Sequence, residues 1–220
     1  VLDGARRALR DHRVREHDRG CDEPRRHHVV DVRIHALHGG VERGLMLSPL
    51  ELENAEAVKG VAPLIAIPTT AGTGSEASLG FVISMSDGRK LTFANAKFLP
   101  KLSICDPELT LGLPPLLTAA TGMDAITHCI EAILASPVNP PADGIGLDGL
   151  WRGWQYIRRA VKDGNDRTAR WEMMMASTEG ALAFVKGLGA VHSMSHAAGR
   201  LKQLKLHHGT LNAVILPTVL

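Results

Sequence analysis

Asp124 and His128 stand four residues apart inside the apolar stretch 116–135. Apolar residues recur there at helical spacing, so both polar side chains project from one face of one helix. A carboxylate on such a face needs partners from another element, because an isolated buried charge is costly. The chain offers them further on. His192 and His196 repeat the four-residue spacing, and His207 and His208 precede Gly209. One carboxylate with three imidazoles is a complete donor set for a divalent first-row metal. On spacing alone, hydrogen-bonded core histidines are an equal reading.

The rest of the pattern divides the chain. Helical periodicity covers 116–135, which Ser-Pro-Val-Asn-Pro-Pro ends, then 143–162, 167–187 and a fourth segment at 189–196. Before that, strand signals dominate. The run 61–67, closed by Pro68, reads as a buried strand, and Thr-Thr-Ala-Gly-Thr-Gly-Ser-Glu (69–76) reads as a turn of the kind that receives ligands. Short strands are expected at 79–84, 90–93 and 101–106, with a turn at 87–89. Residues 1–50 differ in kind. They hold ten of 17 arginines, six of 11 histidines and none of the eight lysines, and 15–28 has no apolar period. Eight acids offset the ten arginines and aromatics are absent there, so no nucleic-acid partner is expected.

Over 220 residues, 45% hydrophobic and 22% charged side chains with a net charge of +2 describe an ordinary globular chain. No apolar run approaches the roughly 18 residues of a membrane span, and the first residues lack a signal-peptide core, so the sequence reads as cytoplasmic with no membrane partner. The three cysteines have no metal-ribbon spacing and read as reduced thiols.

Four ordered motifs carry a resemblance. Pro-Thr-Thr-Ala-Gly-Thr-Gly-Ser-Glu (68–76), Asp-Pro-Glu-Leu-Thr-Leu-Gly-Leu-Pro-Pro (106–115), Gly-Met-Asp-Ala-Ile-Thr-His-Cys-Ile-Glu-Ala (122–132) and the histidine-bearing stretch 192–213 together resemble the iron-dependent (group III) alcohol dehydrogenase family. The resemblance implies an α/β nucleotide-binding portion followed by an all-helical metal-binding domain, a dehydroquinate synthase-like architecture that is incomplete here. The implied division is an atypical Arg/His-rich segment at 1–50, a partial nucleotide-binding domain at 51–113 and a helical metal domain at 114–220. The implied reaction is hydride transfer between an alcohol or aldehyde and NAD or NADP, assisted by Fe2+ or Zn2+, in a homo-oligomer. Carried over by position, Asp124, His128, His192 and His208 look like metal ligands, with His207 competing for the last role. His196 matches a histidine beside the site and is the candidate catalytic group. Thr69, Thr70, Gly72, Thr73, Ser78 and Lys90 match positions that contact the cofactor.

The chain also departs from the family. A Gly-Gly-Gly-Ser motif is expected upstream, where a helix start receives pyrophosphate, yet His38-Gly39-Gly40-Val41 lacks the third glycine and the serine. Residues 1 to about 50 are therefore expected to be a truncated or frame-disrupted remnant. The family continues beyond the last residue, so apolar faces on 116–135 and 167–187 should lack partners. A catalytically impaired metal-binding fragment, a polyol dehydrogenase and a maleylacetate-reductase-type enzyme are the alternative readings.

Overall fold

The computed structural model describes residues 63–84, 90–199, 201, 204 and 206–220. The Arg/His-rich segment 1–50, residues 51–62 of the expected nucleotide-binding portion and the turn at 87–89 lie outside these. Among the described residues five α-helices follow a set of short strands. They are α1 (Pro115–Leu134), α2 (Pro140–Lys162), α3 (Arg167–Ala183), α4 (Ala190–Ala198) and α5 (His208–Val219).

Local chemistry accounts for the helix limits, including those the periodicity misjudged. The prolines at 140 and 141 end nothing further; they open α2 three residues earlier than expected. They occupy its first turn, where no N–H is needed, and the Asn139 side chain accepts from the Ala142 N–H at 3.3 Å. Asp166 caps α3 the same way, accepting from Ala169 N–H at 2.9 Å. That helix stops at Ala183 rather than 187. A 3-10 turn at Phe184–Lys186 follows, and Gly187 then turns the chain with a φ of 115°. Helix α5 had no counterpart in the sequence pattern.

The strands are short. β1 (Ile65–Ala66) pairs in parallel with β4 (Leu102–Ser103), and β2 (Gly80–Ser84) pairs antiparallel with β3 (Lys90–Ala94), Phe81 opposite Phe93. The expectation of a buried strand over 61–67 is not met. Ile65 is 56% exposed, because among the described residues its pairing is a two-residue ladder to β4. The strand expected over 101–106 likewise shrinks to two residues, as Asp106 turns away to cap the 3-10 turn Pro107–Thr110.

α1 is the centre of the helical part. It packs against α2, α3 and α5, while α2 packs on α3 and α4 on α5. A core of Ala160, Ala169, Met173 and Met174 joins α2 to α3 and also takes in Ala71 from the 69–76 loop. Arg170 ties α3 to the start of α1 by donating to Thr118 Oγ1 at 2.8 Å and to the Leu113 carbonyl at 3.3 Å. Buried Lys186 closes the other end of α1 through the Ile133 carbonyl at 3.2 Å and the Asp143 carboxylate. Large apolar side chains nevertheless face solvent, among them Leu116 at 79% and Leu134 on α1, Trp151 and Trp154 on α2, and Trp171 and Leu182 on α3. No described helix is long and apolar enough to cross a membrane.

Gly209 sets the distance between α1 and α5. A Cβ built there would lie 2.0 Å from the Ala120 carbonyl oxygen, a backbone atom that cannot swing aside. Gly209→Ala is therefore expected to push α5 off α1, at a cost of about 1–3 kcal/mol or more. Chemical denaturation of the variant against wild type checks this.

Candidate metal centre

Three helices converge where α5 meets α1. Asp124 and His128 come from the buried face of α1, His192 from the first turn of α4, and His208 from the first residue of α5. Asp124 Oδ1 is the common point. It lies 3.8 Å from His128 Nε2, 3.5 Å from His192 Nε2 and 3.4 Å from His208 Nε2. Donor atoms of Asp124, His128 and His192 all fall within 4.8 Å of one another, and all three residues are buried. Two ligands about 2.05 Å from a tetrahedral ion stand about 3.4 Å apart, so these spacings fit a divalent cation with little adjustment. The rings are packed as well. Those of His128 and His192 stack with centroids 4.5 Å apart, and Phe184 meets His128 edge-on.

A hydrogen bond presents the His208 ring in the form a metal needs, whereas His128 Nδ1 is buried without a hydrogen-bond partner. The Ser195 hydroxyl donates to the His192 carbonyl at 3.1 Å, so towards His208 Nδ1, 3.2 Å away, it acts as acceptor. That leaves a lone pair on His208 Nε2. Asn212, one turn beyond His208, donates from Nδ2 to Asp124 Oδ1 at 2.6 Å and lies 3.3 Å from both His192 Nε2 and His208 Nε2. A donor placed among three inward atoms is consistent with all three being acceptors. The buried Asn212 Oδ1 has no hydrogen-bond partner.

Charge follows the same arrangement. Burial works against the Asp124 carboxylate, but His128, His192 and His208 outweigh it and hold the group near 2. Burial takes His128 down to about 4, against the pull of Asp124, and His208 likewise to about 4. Burial also opposes charge on His192, yet the neighbouring carboxylates of Asp124 and Glu131 prevail and raise it above its ordinary value.

The other sequence-selected residues fall into two groups. His196 is partly exposed beside the cluster, its ring 4.7 Å from that of His208. His207 takes the N-cap position of α5, and it is His208 that approaches Asp124. In the small-residue loop, the Gly74 N–H donates to Ser177 Oγ on α3 at 3.1 Å, and Thr178 donates to the buried Glu76 carboxylate at 2.8 Å. Gly72 is pressed against Thr121 on α1, and its backbone faces the His128 ring. Thr69, Thr70 and Thr73 remain partly exposed. Ser78 closes a local turn with Gly80, accepting its N–H at 3.1 Å. Lys90 begins β3, and its side chain lies outside the described residues. Sequence reasoning passed over Glu131 and Asn212. The signal was present in each case, since Glu131 is seven residues after Asp124 and Asn212 four after His208, both helical repeats of a selected residue.

Two family models match in order along the chain. Residues 35–107 match the iron-containing alcohol dehydrogenase model, and residues 118–220 match the C-terminal model of the Fe-containing alcohol dehydrogenase family. The chain belongs to the iron-containing alcohol dehydrogenase family. Among relatives in this family, 4-hydroxybutyrate dehydrogenase from Cupriavidus necator is 62% identical over 174 residues, which are 78% of this chain and 46% of that protein. An iron-containing alcohol dehydrogenase from Thermotoga maritima superposes with a TM-score of 0.74 at 27% identity, over 83% of this chain and 49% of that one. A sulfoacetaldehyde reductase from Bifidobacterium kashiwanohense, solved with NAD+, superposes with a TM-score of 0.67 at 32% identity, over 72% of this chain and 43% of that one. The chain thus spans less than half the length of these relatives.

The cluster makes a countable prediction about protons. Metal binding requires neutral imidazoles. His128 and His208, held near 4, are already neutral at pH 5.5, whereas His192, held high, carries a proton there. Zn2+ binding at pH 5.5 should release about one proton, where three ordinary imidazoles would release about 2.7. Affinity should accordingly fall with pH about tenfold per unit, steepening only near pH 4. Calorimetry in two buffers of different ionisation enthalpy measures the release.

Proposed function

We propose that this chain is the metal-binding part of an NAD(P)-dependent alcohol dehydrogenase acting on a short hydroxycarboxylate such as 4-hydroxybutyrate. In this reading 51–113 contributes to the nucleotide site and 114–220 forms the helical metal domain. The observation that carries it is the convergence of Asp124 Oδ1 with the Nε2 atoms of His128, His192 and His208. Asp124, His128, His192 and His208 would hold a divalent metal, Fe2+ or Zn2+, which would supply Lewis-acid polarisation of an alcohol oxygen, and NAD(P) would supply the hydride acceptor. The substrate class rests on the identity to 4-hydroxybutyrate dehydrogenase, and the cofactor class on the family and the NAD+-bound reductase.

The chain's own residues divide the remaining work. Asp124 with the three imidazoles binds the cation. His196, partly exposed and next to His208, would pass a proton between the substrate oxygen and solvent in this reading. The hydroxyls of Thr69, Thr70 and Thr73 and the backbone at Gly72 offer donors to the cofactor. Ser177, Thr178 and Thr121 hold that loop on α3 and α1, the latter the helix that carries Asp124 and His128. A shared support matters because a displacement of about 1 Å between reacting groups costs about 100-fold in rate. The exposed apolar side chains on α1, α2 and α3 support association with further copies.

Two measurements test this reading. Elemental analysis of the purified chain should find about one Fe2+ or Zn2+, most of it lost in Asp124→Ala and in His128→Ala; equal metal in all three removes the site. Residues 63–220 substituted for the matching segment of the Cupriavidus enzyme should support 4-hydroxybutyrate-dependent NADH formation, abolished by His192→Ala. A chimaera that binds metal without turnover would favour the impaired-fragment reading.

A further inference from the structure

Glu131 lies on the same face of α1 as Asp124 and His128, seven and three residues further on. Its carboxylate is buried, with the residue 4% exposed. It faces α4 rather than the cation position. Its oxygens accept from the Val191 N–H at 2.7 Å, the His192 N–H at 3.3 Å and His192 Nδ1 at 2.5 Å. The two backbone donors are the second and third N–H groups of α4, whose N-cap, Gly189, has no side chain to serve them. A Cβ at Gly189 would stand 2.7 Å from Glu131 Oε1. The cap position is thus kept bare so that a carboxylate from another helix can fill it.

We infer that Glu131 is a positioning residue of the metal centre: it caps α4 and, with the same carboxylate, holds the His192 ring so that Nε2 is offered to the cation. The inference rests on the metal reading above. An ionised carboxylate only accepts hydrogen bonds, so the proton shared with it belongs to Nδ1, and the neutral ring has its lone pair on Nε2. Nε2 is the atom 3.5 Å from Asp124 Oδ1. Capping and ring orientation are coupled, because His192 is the third residue of the helix that Glu131 caps. The helix N-terminus in turn favours a negative charge at this place. A carboxylate behind a ligand imidazole also makes it a better donor, and loss of such a partner typically weakens metal binding 10–100-fold.

The test separates this role from plain capping. Zn2+ affinity is measured by competition with a chromogenic chelator in wild type and in Glu131→Gln, which keeps the size and one acceptor oxygen. A 10–100-fold weaker Kd in a variant that still melts cooperatively supports the inference; a lower Tm with Kd within twofold of wild type reduces Glu131 to a cap and overturns it. A second measurement needs no variant. Long-range 1H–15N spectra of the wild-type chain at pH 9, metal-free and with Zn2+, should show His192 protonated on Nδ1, and an Nε2–H ring overturns the inference. Wild type that takes up no Zn2+ removes the metal reading and this inference together; failure of the tautomer or of the Kd difference in a Zn2+-binding chain removes this inference alone.

Discussion

A carboxylate taken out of water inside an apolar helix is the constraint around which the described structure is arranged. Left alone, the Asp124 charge would cost several kcal/mol of lost hydration. It is met instead by an amide from α5 at 2.6 Å and by imidazoles from α1, α4 and α5. These partners come from three stretches of sequence, so satisfying one charge determines how three helices meet. The close approach at Gly209 follows from this, because His208 and Asn212 reach Asp124 only if α5 lies against the α1 backbone.

The small-residue loop at 69–76 shows how one segment serves two purposes. Its interior atoms are consumed by packing, with Ala71 in the core, Gly74 bonded to Ser177 and Glu76 to Thr178. Its three threonines stay partly exposed. The glycines permit the first arrangement and the threonines supply the second, so a loop that reads as a ligand turn is also the joint between the strand-bearing part and α1 and α3.

Much of this was legible because helical spacing places side chains directly. Asp124 with His128, and His192 with His196, were readable from their four-residue intervals, and four motifs in unbroken order identified the family. What escaped has particular reasons. α5 starts on His208 behind a histidine cap, carries Pro217 near its end and is apolar on nearly every side, so it offers no one-sided stripe. The prolines at 140 and 141 read as a stop, yet a proline suits the first turn of a helix as well as the residue after one. The run 61–67 has the composition of a buried strand, but burial depends on neighbours and not on composition. Glu131 was passed over because a glutamate on a helix is ordinary until its helix is known to face another helix's bare N-terminus.

One carboxylate oxygen and three imidazole nitrogens form a donor set without strong chemical preference among first-row divalent ions. Affinity in such a set follows the general order that rises from manganese through iron and cobalt to copper and falls again at zinc. Among the described residues, no thiolate or extra carboxylate joins Asp124, His128 and His192 in their cluster to counter that order. In the metal reading proposed above, the donor set itself does little to choose the ion, so the supply of free metal during synthesis would decide which one fills these side chains.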